Sequence, residues 1–233
     1  MLVAGFPTGS FQANCFVLAA EVGGPCVVVD PGQDAEQPLD GVLRKHRLDP
    51  VAVLLTHGHF DHIFAVTPVC DGHDIPAWIH AEDRVLLSDP MRALSADARQ
   101  FFGGRVQLRE PREVRALDDG TSLELAGLCF TVDHTPGHTR GSVTFRSVTG
   151  NGSGEGQALL VSGDTLFAGS IGRTDLPGGD HEQMLTSLRD KILVLDDDTI
   201  VLPGHGPHTT IGRERASNPF LHGLAAPGRT RGL

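Results

Sequence analysis

Short apolar runs broken by glycine- and proline-containing turns fill most of the chain. Leu2 to Phe6, Asn14 to Ala19 and Cys26 to Asp30 are three β-like runs separated by Gly-Ser and Gly-Gly-Pro turns, which predicts an antiparallel meander. The period then changes. Leu39, Val42, Leu43 and His46 recur at helical spacing within Ala35 to Arg47, so a helix covers one face of the sheet and leads through Asp49-Pro50 into the aliphatic run Val51 to Leu55. Beyond it, Ile63 to Cys70 reads as a helix bent at Pro68, Ala77 to His80 as a short strand with the single Trp, and Glu82 to Phe102 as short helices broken at Asp89-Pro90. A second β series follows: Val106 to Leu108, Val114 to Leu117, Thr121 to Leu125, Leu128 to His134, Ser142 to Val148, Ala158 to Val161 and Thr199 to Leu202. A helix from Asp180 to Leu195 carries the stripe Met184, Leu188 and Ile192, with Asp180 as its N-cap. Strands then helix, twice over, predicts two sheets packed face to face with helices outside; composition alone gives mixed α and β.

The strand Val51 to Leu55 ends in Thr56-His57-Gly58-His59-Phe60-Asp61-His62. Three imidazoles and a carboxylate in so short a loop exceed what one tetrahedral ion takes from one segment, and they suggest two metals. His57 and His59, two apart, lean to one side of a locally extended chain and can share an ion; Asp61 and His62 follow after the chain has turned and can serve a neighbour. Three later positions repeat the strand-end pattern: His138 in Thr135-Pro136-Gly137-His138-Thr139, Asp164 in Ser162-Gly163-Asp164-Thr165, and His205 in Pro203-Gly204-His205-Gly206. Glycine or proline beside each lets the backbone turn and present the side chain inward. One such histidine is more often an ordinary hydrogen-bonded residue than a ligand, but the set together is hard to reach by chance. Asp30, held at a turn by Pro31-Gly32, can orient a ligand histidine from behind.

These residues resemble the metallo-β-lactamase superfamily: Thr-His-Gly-His-Phe-Asp-His at 56–62, then His138, Asp164 and His205 in order, with Asp30-Pro31-Gly32 upstream. Within it, the likeness is to the short, single-domain relatives of hydroxyacylglutathione hydrolase (glyoxalase II). It rests on Ser162 to Phe167, on Gly172-Arg173-Thr174-Asp175-Leu176-Pro177-Gly178-Gly179, and on Leu202 to Pro207 leading to Asn218-Pro219-Phe220-Leu221. The resemblance implies an αββα sandwich of two mixed sheets with outer helices, a single domain over residues 1–224 and a disordered tail at 225–233. It also implies that His57, His59 and His138 hold one ion, that Asp61, His62 and His205 hold a second, and that Asp164 bridges them.

A nitrogen-rich set with two carboxylates suits two divalent ions, zinc first, with iron or manganese tolerated. Two such ions against Asp61, Asp164 and one hydroxide leave a net charge of about +1, which favours an anionic substrate and a developing oxyanion. The expected reaction is hydrolysis of a small anionic acyl thioester, an S-2-hydroxyacylglutathione or an ester of another low-molecular-weight thiol, by a metal-bridging hydroxide, with Asp61 and Asp164 as the carboxylates of the catalytic centre. Two other functions fit the fold. A mononuclear iron persulfide dioxygenase would use His57, His138 and Asp164; a non-catalytic metal-binding member would need a broken ligand set, whereas all seven positions are filled here.

The two-domain glyoxalase II enzymes read glutathione with basic groups and tyrosine of a C-terminal domain. Only 28 residues follow His205, and the chain has no Tyr, so that scheme is not expected. Arg173 stands where the family has a lysine and can clamp a carboxylate, or it can pair with Asp175. The helical stretch from Glu82 is the candidate wall of the substrate entrance. His134 and His208, although beside ligands, are assigned to supporting or surface roles, and His46, His73, His80, His181 and His222 to structure or surface.

Composition narrows the rest. A formal net charge of −10 with no basic stripe argues against nucleic-acid binding. The glycine-rich stretch 149–157 lacks the lysine and helix start of a phosphate loop and reads as a hairpin loop. Cys15, Cys26, Cys70 and Cys129 show no paired spacing and sit in apolar runs, as core thiols of a reducing compartment. No apolar run is long enough to span a bilayer, and the N-terminus lacks a signal-peptide pattern; a cytoplasmic monomer or small homo-oligomer is expected.

Overall fold

A computed structural model describes residues 1–101, 108–148 and 156–224. Two six-stranded sheets form the frame. The first runs in chain order: β1 (Leu2–Thr8), β2 (Ala13–Ala19), β3 (Pro25–Val29), β4 (Asp49–Leu54), β5 (Ala77–His80) and β6 (Val114–Leu117). Its first three strands pair antiparallel, as the meander predicts, and β3 to β6 pair parallel. The second contains β7 (Ser122–Leu125), β8 (Leu128–His134), β9 (Val143–Val148), β10 (Ala158–Gly163), β13 (Ile200–Pro203) and β14 (Thr209–Thr210), in the order β14-β13-β10-β9-β8-β7. A two-stranded ribbon, β11 (Leu166–Phe167) with β12 (Ser170–Ile171), follows β10.

Period-2 alternation separates the core into three layers. Between the sheets lie Phe16, Leu18, Val27 and Val29 from the first, and Phe130, Val132, Phe145 and Val161 from the second. The alternate residues Cys15, Val17 and Val28 face the other way, against Leu39 and Leu43 of α1 (Glu36–His46) and Val66 and Val69 of α3 (Val66–His73). On the far side, Leu160 and Val201 meet Met184 of α5 (His181–Ser187) and Ile211 of α6 (Ile211–Ser217). Strands buried on both faces explain why β2, β3 and β10 read as continuous apolar runs. The order of layers is helix, sheet, sheet, helix, the αββα sandwich that the resemblance implies.

Helix termini follow local chemistry. Glu36 sits in the first turn of α1 and Arg44, Lys45 and His46 in its last, each sign matched to the backbone dipole. Asp180 caps α5, its carboxylate accepting from the Gln183 N–H at 3.0 Å.

Four expectations are corrected. The helical stretch after the motif starts earlier, as α2 (Phe60–Ile63), and breaks at Phe64-Ala65 instead of Pro68; Pro68 lies in the first turn of α3, where its missing N–H leaves no bond unmade. The helix that begins at His181 is α-helical only to Ser187 and continues as a π-helical turn over Leu188–Ile192, although Met184, Leu188 and Ile192 all stay buried on one stripe. The stretch from Glu82 ends in α4 (Ala96–Phe101), and Leu108 belongs to no strand. Cys129 is exposed, because alternation along β8 buries Leu128 and Phe130 and turns the residue between them outward; Cys15, Cys26 and Cys70 are buried as expected. The remainder of the run from Val106, residues 149–155 of the glycine-rich loop and the tail 225–233 lie outside the described residues. Among the described residues, no helix is long and apolar enough to cross a membrane.

Candidate metal centre

Four turns meet at one edge of the sandwich, three of them at the carboxyl ends of β4, β10 and β13 and the fourth between β8 and β9. Backbone bonds hold the turns together across the sheets. The Val143 N–H donates to the Thr56 carbonyl at 2.8 Å, and the Asn14 N–H donates to the Gly204 carbonyl at 2.7 Å. Asn14 also spends both protons of its side-chain amide on the turn around His205, giving them to the Pro203 and Gly206 carbonyls at 2.9 Å each.

All seven residues singled out by the motif converge there. His57, His59 and His138 bring three ligand atoms within 4.8 Å of one another, and Asp61, His62 and His205 do the same beside them. In the first group His59 Nδ1 is 2.8 Å from His138 Nε2. In the second, His205 Nε2 is 3.3 Å from both His62 Nε2 and Asp61 Oδ2. Asp164 stands between the groups: Oδ2 lies 3.4 Å from His138 Nε2 and 3.6 Å from His205 Nε2, and Oδ1 lies 3.4 Å from His62 Nε2. Two glycines make room for it. A Cβ on Gly204 would fall 2.1 Å from Asp164 Oδ1, and one on Gly172 would fall 1.8 Å from the Asp164 carbonyl oxygen.

Hydrogen bonds behind the cluster decide which nitrogen faces the centre. Asp30 accepts at Oδ1 from the Thr56 N–H (2.8 Å) and at Oδ2 from the Thr56 hydroxyl (2.6 Å) and His62 Nδ1 (3.0 Å). With the Thr56 proton given to Asp30, its oxygen is left to accept from His57 Nδ1 at 3.0 Å. His138 Nδ1 donates to the Arg173 carbonyl at 2.7 Å. His57, His62 and His138 therefore each present Nε2 inward. Asp30, His57 and His62 also lie within ligand distance of one another, but the Asp30 oxygens are already engaged from behind, the supporting position that its sequence context predicts.

Charge and burial agree with this arrangement. Burial, joined by the neighbouring imidazoles, holds His57 and His59 well below the usual histidine range, so both are neutral as ligation requires. His62 is the exception: burial works against its charge, but Asp164, Asp61 and Asp30 outweigh it and raise its pKa to about 10, so it carries a proton that a bound cation would have to displace. For Asp61 burial pushes up, yet His62 and the hydrogen bond from His205 prevail and the carboxyl lies below its usual range. His57 Nε2, His59 Nε2 and Asp164 Oδ1 are buried without a hydrogen-bond partner. Such unpaired atoms are costly unless something else satisfies them. A cation at the centre would satisfy His57 Nε2 and Asp164 Oδ1 and would sit against the His59 Nδ1 and His138 Nε2 lone pairs, 2.8 Å apart; the two clusters fit a dinuclear metal centre.

The other candidates lie outside the clusters. Arg173 is bidentate on Asp175, with both contacts at 2.7 Å, and its guanidinium is 60% exposed; its backbone carbonyl is what reaches the centre. His80 and His134 stack on each other 4.1 Å apart, and exposed His208 rests 5.8 Å from the Phe16 ring. The stretch from Glu82 supports the motif from beneath, with the Leu86 side chain against Gly58 and the buried Asp83 carboxylate bonded to two ligand loops. Sequence reasoning missed Asp83 and the Arg173 carbonyl. A carbonyl has no sequence signature, and Asp83, inside Ala-Glu-Asp-Arg, looks like a surface carboxylate.

Two His/Asp triads joined by a carboxylate, on the edge of an αββα sandwich, define the class: a metal-binding protein whose clusters fit a dinuclear site. The chain belongs to the metallo-beta-lactamase superfamily, whose sequence model matches residues 8–205. An uncharacterized protein of Mycobacterium tuberculosis is 50% identical over 226 residues, 97% of this chain and 100% of that one. The hydroxyacylglutathione hydrolase GloC of Haemophilus influenzae is 34% identical over 93% of this chain and 96% of its own. Among solved structures, the BLEG-1 B3 metallo-beta-lactamase superposes with a TM-score of 0.82 at 44% identity, covering 95% of this chain and 100% of that one. A protein crystallised in a di-iron-bound form gives 0.74 at 38% identity, covering 94% and 100%.

Proposed function

We propose that the protein is a metal-dependent hydrolase of small acyl thioesters, of the S-2-hydroxyacylglutathione kind or built on another low-molecular-weight thiol. The observation that carries this reading is Asp164 set between two complete ligand triads. A pair of divalent ions held there, zinc first and iron as the relative crystallised with two irons permits, supplies a water ionised near neutral pH and polarises a carbonyl.

The chain's own residues do the remainder. His57, His59 and His138 would hold one ion and Asp61, His62 and His205 the other, with Asp164 between. Asp30, Thr56 and the Arg173 carbonyl fix ring orientation, so that little reorganisation is left for the reaction itself. The ionisable side chains gathered at the centre are engaged in ligation or in orienting ligands. That suits a thiolate, which leaves as an anion without needing a proton. The relation to GloC, over nearly the full length of both chains, points to the same substrate class.

A second reading has its own support in the 44% identity to a metallo-beta-lactamase: hydrolysis of a β-lactam amide. One panel separates them. Purified zinc-loaded protein is given S-D-lactoylglutathione, thioesters of other small thiols, and nitrocefin. Metal-dependent thiol release is the expected result; nitrocefin turnover without thiol release would replace the thioester reading. A persulfide dioxygenase would hold a single iron on His57, His138 and Asp164, and metal stoichiometry separates it from the two-ion hydrolase. One bound iron, with oxygen uptake on glutathione persulfide, would refute the hydrolase.

A further inference from the structure

We propose that Asp83 is a positioning residue for the ion held by His57, His59 and His138, acting by clamping together the two loops that carry those imidazoles. The inference rests on the two-ion reading above. Asp83 is 1% exposed and opens the 3-10 turn Arg84–Leu87, next to no ligand in sequence. Its Oδ2 accepts from the Gly58 N–H at 2.8 Å and from the Thr139 hydroxyl at 2.6 Å, and its Oδ1 accepts from the Gly141 N–H at 2.7 Å. Gly58 lies between His57 and His59, and Thr139 follows His138. Each of these three donors therefore belongs to a loop of the first triad, and one carboxylate fixes the spacing between them.

The fit is close. A Cβ on Gly141 would meet Asp83 Oδ1 at 2.7 Å, and a Cβ on Gly58 would meet Leu86 Cδ1 at 2.7 Å and the Asp83 carbonyl at 3.0 Å. Ser142 extends the clamp. Its hydroxyl lies 2.8 Å from Thr139 Oγ1 and accepts from the Thr139 N–H at 3.1 Å, so the Thr139 hydroxyl is aimed at Asp83 from its own loop. The second triad is braced by other groups: His62 by Asp30, and the His205 turn by Asn14. Loss of the clamp should therefore weaken one ion site and spare the other.

In Asp83→Asn the side chain keeps its shape, but the amide has one acceptor oxygen where the carboxylate has two. At least one buried backbone N–H, that of Gly58 or Gly141, then faces a donor. The expected result is a loss of zinc affinity at the first site on the order of 10- to 100-fold, the usual effect of removing a supporting group behind metal ligands, with the second site unchanged. Zinc titration of metal-free protein followed by histidine-selective NMR reads this directly: the His57, His59 and His138 signals should need more zinc, and those of His62 and His205 should not. Thr139→Val, which removes one of the three bonds, should act in the same direction and less, and it decides the matter if the asparagine variant does not fold. Unaltered titrations, or equal weakening of both sites, would overturn the proposal while leaving the two-ion reading intact. A wild-type protein that takes up only one ion would overturn both.

Discussion

At the scale of single residues, the seven side chains that converge at the centre were legible because each is a histidine or aspartate at a glycine- or proline-marked turn after an apolar run. What holds them was not, since the Asp83 carboxylate and the Arg173 carbonyl reach the loops through space from positions with no motif of their own. His59→Ala and Asp164→Ala should each lower kcat/KM for the thioester by several orders of magnitude, because each removes a ligand used throughout the reaction. Near-normal turnover by either, in steady-state assays with saturating zinc, would remove that residue from the centre. Thiol chemistry gives an independent check on burial. Burial, helped by Asp49 and Asp71 respectively, pushes the Cys26 and Cys70 thiols up to about 12, and Cys15 is likewise raised by burial and Asp30. Thiolate is the reactive form, so these three should resist a disulfide reagent in the native protein while exposed Cys129 reacts. One thiol titrated natively and four in denaturant is the expected count; three or four reacting natively at the rate of a free thiol would mean the sheets are not packed as described.

At the scale of elements, the apolar pattern located every strand longer than two residues and missed the two-residue strands β11, β12 and β14, and what it could not supply was partner and spacing. Nothing in Leu202-Pro203-Gly204 says that β13 lies beside β10, yet that parallel pairing brings Gly204 against Asp164. The π-helical turn at Leu188–Ile192 was equally invisible, because the i, i+4 stripe is satisfied by either backbone. The pairing of β10 with β13 makes two alanine substitutions differ in kind. In Gly204→Ala the new methyl would fall 2.1 Å from Asp164 Oδ1, the end of a side chain that can rotate away, with the His62 ring at 2.9 Å and the Gly163 carbonyl carbon at 3.0 Å as lesser contacts. The bridging carboxylate should swing out, so that bound zinc falls from two ions towards one and activity drops, while far-ultraviolet circular dichroism is kept. In Gly172→Ala the nearest atom is the Asp164 carbonyl oxygen, which is backbone and cannot rotate away. That variant should lose stability by about 1–3 kcal/mol, the usual cost of overpacking. Equal losses of stability in the two, measured by urea unfolding, would show that Asp164 has no freedom to move.

At the scale of the whole molecule, the sequence implied the layers but not how they are fastened. The interior between the sheets is apolar and non-directional, built from Phe16, Leu18, Phe130 and Phe145 among others, and it would allow the sheets to slide. The ligand edge is directional. The loop after β4 belongs to the first sheet, whereas His138, Asp164 and His205 come from turns of the second, so ions held by all of them cross-link the two sheets at one end. Removing the ions should therefore loosen that end selectively. Free zinc at about a thousand times its Kd stabilises the folded state by roughly 4 kcal/mol per site, about 8 kcal/mol for two sites. For a chain of this size each kcal/mol shifts Tm by about 2–4 °C, so chelation of both ions should lower Tm by roughly 15–30 °C on calorimetric scans. Hydrogen exchange should then rise first in the turns around residues 56–62, 135–142, 164–172 and 203–206, and least in the strand centres such as Val27 to Val29. A chelated protein with unchanged Tm would mean that the carboxylates and imidazoles hold the sheets without cations. Uniform acceleration of exchange would mean that the ions support the whole fold and not one edge of it.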